Sequence, residues 1–569
     1  MDATFHDIAG IITDGSGPLN GEGLGRLVAS GAEGAALSLG PGEEFALAGF
    51  ASEGAADEGL NGAPASFFLA HGAAAGPFEQ WKATNAVSQF GEAGQGAWAA
   101  ARAFPEMQKF WLARDQFGQQ PLYYAEKGPT TAFATDLKWF FDSGFCAPKL
   151  NEDSFAELVQ LQFLSGGQTA FEGIRRVFPG ETLVIERGRV VDRLRRPTVP
   201  LSDRTLVDPI VAFDALDQLF KSAVTRALEG TRQVGCVLTG DLASTALAIA
   251  IARQAKRRVR AYVPFAKTGE ETRGQAAMAF AKSLGFDPVP LPIDADRFFQ
   301  GLPAIAGAMT DPVGDQVAIA WHVVAEAARE DGATLILSTG GQELFGAYGR
   351  YRTAARPLWL GGRGMRGRGH LQGLSRLPGG PTHWRDGLTG VESRLRGGRF
   401  TRIQRLQLVD ISTWLPNDMI LGEHQVVARA GVELRRPFLD AEMAGFAFSL
   451  ADQLKLRGQT GGVLLRQWIG KTFPSAAGML DGIRATPPLG PWLAQRADTL
   501  GPAVDRVISE AGLLAPGHAN AVFAQTAQKK TKRLGMAAWQ LLSFALWYQV
   551  HLGDAAPDGD IEAVLNKGI

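Results

Sequence analysis

Through the first 190 residues, short apolar runs alternate with turn residues. DIAGIIT, GEEFALAGFA, ASFFLAHGA, KFWLARD, QPLYYAEK, TTAFATD and ETLVIERGRVVD put aromatic and β-branched side chains at every second position or in one short block. That is the pattern of strands lying on a core, and it predicts a mostly antiparallel sheet domain. LKWFFDSG and DSFAELVQLQFLSG have helical spacing, the second opening on an Asp or Ser cap. Near RRPTVPLSDRTLVDP a proline-rich polar stretch predicts a linker. The expected division is therefore about 1–200 and 205–569.

Past the linker the period changes. VGCVLTG runs into LASTALAIAIARQAK, RVRAYVPF into TRGQAAMAFAKSLG and then DPVPLPI, and VAIAWHVVAEAAREDG precedes ATLILSTGG. Strand–helix alternation predicts right-handed crossovers on a parallel sheet, with any ligand at the carboxyl ends of the strands. From about residue 400 the pattern is mostly helical and ends in MAAWQLLSFALWYQVHLG. Between Arg350 and Arg405 stand thirteen arginines, two acids and no lysine. This stretch reads either as an insertion facing an anion or as a solvated connection.

Composition narrows the class. The chain has 569 residues, 46% of them hydrophobic and 20% charged, as in a folded protein of two or three domains. A formal net charge of −1 gives no reason to expect nucleic acid or an anionic membrane as partner. Two cysteines, Cys146 and Cys236, are too few for a disulfide framework or a zinc cluster. No apolar run reaches the roughly 20 residues of a membrane span, and MDATFHDIAGIITDG lacks the basic start and apolar centre of a signal peptide. The expectation is a soluble, cytoplasmic chain.

Several ordered stretches carry a resemblance. FWLARDQFGQQPLYYAEKGPTTAFATDLKWFF and FEGIRRVFPGETLVIERGRV lie in the first part. GCVLTGDLASTALA, LILSTGGQELFGAY, GVELRRPFLDAEMAGFAFSLADQLKLRG and LLRQWI lie in the second. Together they resemble the asparagine synthetase superfamily, which includes lasso-peptide cyclases and β-lactam synthetases. The resemblance implies an α/β multidomain chain. It would have an N-terminal glutaminase-like (Ntn-type) β-sandwich and a C-terminal ATP-pyrophosphatase domain. Such a domain activates a carboxylate as its adenylate, using ATP and Mg2+, and an amine then displaces AMP. The chemistry needs backbone donors for phosphate, carboxylates for magnesium and a cation on the developing charge.

Each requirement can be placed on this sequence. The family's Ser-Gly-Gly-x-Asp-Ser loop becomes Thr239-Gly240-Asp241-Leu242-Ala243-Ser244. Thr239, Gly240, Ser244 and Thr245 keep hydroxyl and backbone donors, but alanine stands at the metal-binding position. Asp241 reads either as a displaced metal ligand or as the cap of a helix beginning near Leu242. The second loop becomes Ser338-Thr339-Gly340-Gly341-Gln342-Glu343. Gly340, Gly341 and Glu343 survive, while Gln342 replaces an aspartate and Thr339 the family's Glu or Tyr. The acidic or Asp-Arg pair before Glu433 falls on His424 and Gln425, with Glu423 one position, about 100° of helix, away. The late lysine falls in GIRATPPLGPW, where Arg484 carries the charge. The structural signatures Glu433, Arg435, Pro437, Phe438, Asp440, Leu465 and Arg466 remain.

In the first part, aligning DIAGI puts His6 where glutamine-dependent members carry their nucleophilic cysteine, and no cysteine precedes Cys146. Asp115 in LARDQFG looks catalytic in isolation but reads better as a turn and domain-interface residue. The resemblance thus implies two roles. One is a degraded, non-catalytic subunit in ribosomal, lasso-type peptide maturation, holding a precursor peptide or an active paralogue, with a maturation protease as a further partner. The other is an active ATP-dependent isopeptide ligase in which Asp241, Glu343 and Glu423 rebuild the magnesium site. No cofactor is expected in the first role, ATP and Mg2+ in the second.

Overall fold

The computed structural model describes residues 7–13, 35–39, 45–50, 67–71, 84, 86–92, 94, 96–104, 107–200, 205–267, 272–356, 364–374, 383–396, 400–479 and 486–567. The chain divides into two compact units. One comprises 1–151 with 166–198, the other 152–165 with 199–569. The stretch 152–165 precedes the linker in sequence yet packs with the second unit.

The first unit contains two antiparallel sheets. Strands β1 (Asp7–Thr13), β2 (Ala35–Leu39), β3 (Phe45–Phe50), β4 (Phe67–His71), β5 (Ala99–Phe104) and β6 (Lys109–Arg114) are followed by β7 (Tyr123–Lys127), β8 (Thr130–Ala134), β9 (Ile174–Arg176), β10 (Glu181–Glu186) and β11 (Arg189–Arg195). One sheet has the order β2-β3-β1-β8-β7-β9, the other β11-β10-β6-β5-β4. A single core draws on both: Ile8, Ile12, Tyr124 and Phe133 from the first pack with Ala101, Leu112 and Leu183 from the second. This makes a sandwich in which alternate residues of β5, β6 and β10 face the shared core. Strand β5, AAARAF, gave no period-two signal because alanine is a poor strand former. It forms because neighbours β4 and β6 supply the ladder on both sides.

The second unit is built on a parallel sheet, with β12 (Gln233–Val237), β13 (Val259–Ala266), β14 (Asp287–Ile293), β15 (Ala333–Ile336) and β16 (Leu434–Arg435) in the order β14-β13-β12-β15-β16. Three prolines mark DPVPLPI as a strand for an edge, where missing amide donors cost least, and β14 is an edge strand. The chain leaves β12 towards β13 and β14, then returns to the other side of β12 as β15. That reversal opens a crevice at the carboxyl ends of β12 and β15, the place where such sheets hold ligands. Cys236 pairs with Ile336 in parallel register, so Thr239 and Thr339, each three residues further on, leave the sheet side by side. No helix among the described residues is long and apolar enough to cross a membrane.

Candidate functional site

The loop after β12 turns on Gly240, which sits at φ +68°, a left-handed conformation that favours glycine. The Leu242–Gln254 helix follows, buried along all of its first ten residues because it runs beneath neighbouring helices. Asp241 is its N-cap. Its Oδ1 accepts the Ser244 amide at 2.9 Å, and its Oδ2 accepts the Thr239 hydroxyl at 2.6 Å. A phosphate at this turn would need those same donors. The carboxylate of Asp241 has taken them, so the loop carries its own anion. Thr245 still has a buried hydroxyl without a hydrogen-bond partner.

Ala243 closes the gap between the two loops. It is fully buried, and a Cβ added to Gly341 would lie 2.9 Å from the Ala243 methyl and 2.9 Å from Phe438. Methyl, glycine backbone and phenyl ring therefore meet where the family places a metal-binding carboxylate. Gly340, at φ +91°, is equally constrained, since a Cβ there would strike Leu439 at 2.3 Å. These residues do not fit magnesium. Among the described residues, no group of three His, Cys, Asp or Glu side chains converges as metal ligands. Magnesium can manage with one or two carboxylates plus substrate phosphates, but here the position facing both loops is a methyl group.

Of the sequence-predicted carboxylates, Glu423 reaches the second loop. It lies in the Leu421–Val426 helix, 3% exposed. The Thr339 hydroxyl donates to its Oε1, and Arg436 Nε donates to its Oε2 at 2.9 Å. The one-residue displacement seen in the sequence thus puts a carboxylate behind Thr339, although a guanidinium already neutralises it. Gln425 is spent on structure, its amide bridging both the N–H and the C=O of Asp311 at 2.8 Å.

Glu343 stands apart from Glu423 in a different network. It is 2% exposed, and burial pushes its carboxyl up to about 7, against the opposing pull of Arg350. Arg350 Nη2 lies 3.9 Å from Glu343, while its Nε donates to Asp410 at 2.6 Å. The guanidinium is stacked between Tyr348 at 3.8 Å and Trp414 at 4.3 Å. Burial, with the charges of Glu343, Asp241 and Asp410, drives the Tyr348 phenol far above its ordinary range. Beneath the loop, Gln407 donates to the Glu343 and Leu344 carbonyls at 2.8 and 2.6 Å. Lys455, fully buried, donates in turn to Gln407 Oε1 at 3.1 Å, and burial lowers its ammonium to about 7.

The structure therefore joins Thr239, Asp241 and Ser244 in one hydrogen-bonded turn and Thr339 with Glu423 in a second. Glu343 is held in a third group. Arg484 and His6 lie outside the described residues. Sequence reasoning missed Arg436, Arg350 and Lys455. Two of these had a signal: Arg436 doubles a signature arginine in ELRRPF, and Arg350 sits between aromatics in YGRY. The described arginines of the 350–405 stretch are largely internal ties. Arg402 donates to the Ala354 and Arg356 carbonyls at 2.9 and 2.8 Å, and Arg385 pairs with Glu392 at 2.7 Å.

In the first unit, Asp115 is the turn residue its sequence suggested. Its carboxylate accepts the amides of Phe117, Gln119 and Gln120 at 3.1, 2.9 and 2.8 Å. Burial raises the thiols of both Cys146 and Cys236, the latter to about 12. A nucleophilic cysteine needs the opposite shift.

Comparison with known proteins agrees with this architecture. Residues 85–195 match a glutamine amidotransferase domain model. Asparagine synthetase (glutamine-hydrolyzing) 1 of Bacillus subtilis is 23% identical over 491 residues, 77% of this chain and 75% of the relative. A Mycobacterium tuberculosis homologue of asparagine synthetase is 24% identical over 495 residues, covering 78% and 74%. The first unit is thus of glutamine amidotransferase type and the second a parallel-sheet domain with helices. Residues 215–549, the greater part of the chain, match the asparagine synthase model, and the chain belongs to the asparagine synthase family.

Proposed function

We propose that this chain has given up the ATP-dependent amide chemistry of its family and works by binding. It would hold a precursor peptide, or an active paralogue, in ribosomal peptide maturation of the lasso type, in the cytoplasm. One observation carries the reading: the Asp241 carboxylate occupies the donors of the phosphate turn while the Ala243 methyl fills the metal position. An anionic side chain in that seat repels the anion the turn would otherwise cradle. Losing transition-state charge stabilisation removes what is usually the largest catalytic contribution. The missing cysteine before Cys146 supports a member that takes no ammonia from glutamine. That points to an amine carried by the peptide itself.

A second reading keeps one specific support. Glu423 stands on the Thr339 hydroxyl, which would suit an active isopeptide ligase whose site has been rebuilt around Glu423, Glu343 and Asp241, with ATP and Mg2+ as cofactors. Pyrophosphate release separates the two. The purified chain, incubated with magnesium-ATP and candidate precursor peptides, is expected to release none above background. Peptide-dependent release would establish the ligase.

A further inference from the structure

At one end of the first unit three turns meet. The β10–β11 hairpin closes through Arg187 and Gly188, with Glu186 opposite Arg189. Gln108 belongs to the connection from β5 to β6, and Pro129 to the tight turn from β7 to β8. The Arg187 amide donates to the Gln108 carbonyl at 3.0 Å, and the Thr131 hydroxyl donates to the Gly188 carbonyl at 2.7 Å. A Cβ on Gly188 would lie 1.9 Å from the Pro129 carbonyl oxygen, so these turns are packed backbone to backbone. Between them lies a groove of about 540 Å³, lined by Met107, Pro129, Glu186, Arg187, Arg189 and Val191. Its volume is in the range of ligand-binding clefts.

Two features of the groove run against what folding alone asks. Met107 is 72% exposed and Val191 54%, and they are the exposed large apolar side chains among this unit's described residues. Arg187 holds φ +48° beside Gly188 at +71°, the hairpin-turn geometry that favours Asn-Gly. An arginine in that conformation is strained. Yet neither its guanidinium nor that of Arg189 has a hydrogen-bond or ion-pair partner among the described residues, and both side chains are exposed. Glu186, the acid in the lining, is already paired with Lys109 at 3.0 Å. The groove thus presents two uncommitted positive charges beside exposed apolar surface.

We propose that this groove is a docking site for an acidic peptide segment bearing apolar side chains. Its carboxylates would meet Arg187 and Arg189, and an apolar side chain would lie between Met107 and Val191. Charge complementarity selects this occupant, because guanidinium forks take carboxylates bidentately. Methionine, unbranched and polarisable, adapts to varied apolar shapes. Nucleic acid is a poorer fit, since no aromatic ring lines the groove for bases to stack on. An anionic membrane is poorer too, because such surfaces are read by clusters of roughly 4–8 basic residues. The inference rests on the binding reading above and deepens it, naming where a peptide partner is held and by what chemistry.

Fluorescence anisotropy of a Glu-Leu-Asp-Leu-Glu peptide, labelled at its amino end and amidated at the other, titrated with the full chain tests the groove. Binding is expected to saturate and to weaken with rising salt. A Lys-Leu-Lys-Leu-Lys peptide, of opposite charge, and a Glu-Ser-Asp-Ser-Glu peptide, without apolar side chains, should each bind at least about tenfold more weakly. Arg187→Gly should lose about tenfold in affinity while its Tm stays the same or rises, because glycine suits φ +48°. A residue that served only the turn would show the reverse. Met107→Ser should lose about fivefold, whereas Arg232→Gln, which removes an exposed charge in the second unit, should leave affinity unchanged. Equal affinity for the reversed or the polar peptide, full affinity in Arg187→Gly, tighter binding of a single-stranded oligonucleotide than of the acidic peptide, or no saturable signal would each overturn the proposal. Nucleotide is absent from these titrations, so their failure leaves the loss of ATP chemistry standing. Turnover of ATP would sink the binding reading without moving the peptide's affinity.

Discussion

Arg436 is the residue whose removal tests most sharply how the second loop is held. Its side chain is 2% exposed and that of its partner Glu423 4%, with Nε and Oε2 2.9 Å apart. Replacing Arg436 with methionine keeps the bulk but leaves a carboxylate in the interior with the Thr339 hydroxyl as its remaining donor. Breaking a buried pair from one side costs about 3–5 kcal/mol. Arg436 Nη2 has no partner of its own, so the pair is short of optimal and the lower end applies, about 3 kcal/mol. The second unit has roughly 385 residues, for which the unfolding entropy near 60 °C is about 0.8 kcal/mol/K. The expected fall in Tm is therefore about 4 °C, read by calorimetry and by urea unfolding followed through tryptophan fluorescence. Glu423→Gln in the Arg436→Met background should restore about 2 kcal/mol, since the stranded charge is gone. A loss below about 1 kcal/mol in Arg436→Met, or a double variant no more stable than the single, would refute the pairing as described.

Other perturbations follow from the same geometry. Asp241→Ala should cost about 1 kcal/mol by uncapping the Leu242–Gln254 helix, whereas Asp241→Gly should cost only tenths and should raise affinity for pyrophosphate in a calorimetric titration by vacating the phosphate turn. Glu343 has a folded value of about 7, above its ordinary 4.5, so its contribution to stability is complete below pH 4.5 and is lost as pH climbs through 7. Glu343→Gln escapes that loss, and its stability relative to wild type in urea melts should improve by about 2–3 kcal/mol between pH 5 and pH 8. Gly422→Ala would put a methyl 2.2 Å from the Trp321 ring; a loss of about 1–3 kcal/mol in thermal melts is expected.

Much of the fold was legible because local signals agreed with one another. The 233–237 run, its glycine turn and the apolar helix after it each point to a strand–turn–helix. The prolines of 287–293 fit the edge position that strand takes in the sheet. In the loops, substitutions could be read one position at a time, which located Ala243, Gln342 and Asp241. What the sequence could not carry was pairing across distance. Glu423 meets Thr339 across 84 residues, and Gln162 meets Asp418 across 256; neither side chain has a neighbour in sequence that hints at its partner. The arginines of 350–405 gave a misleading signal for the same reason. Composition left open an anion-facing insertion or a solvated connection, and neither reading foresaw that Arg350 and Arg366 turn inward onto Asp410 and stack on Trp414. The π-helical winding of Asp410–Ile420 also escapes notice, since apolar spacing over eleven residues does not distinguish it from an ordinary helix.

Asp241 fills the phosphate turn and Ala243 the metal position. The direct test is calorimetric titration of the purified chain with ATP and a non-hydrolysable analogue, with and without magnesium. No magnesium-dependent binding tighter than about 100 µM, or about −5.5 kcal/mol, is expected. Tighter binding that appears only with magnesium would contradict this and would mean that these loops hold nucleotide by some other arrangement of their residues.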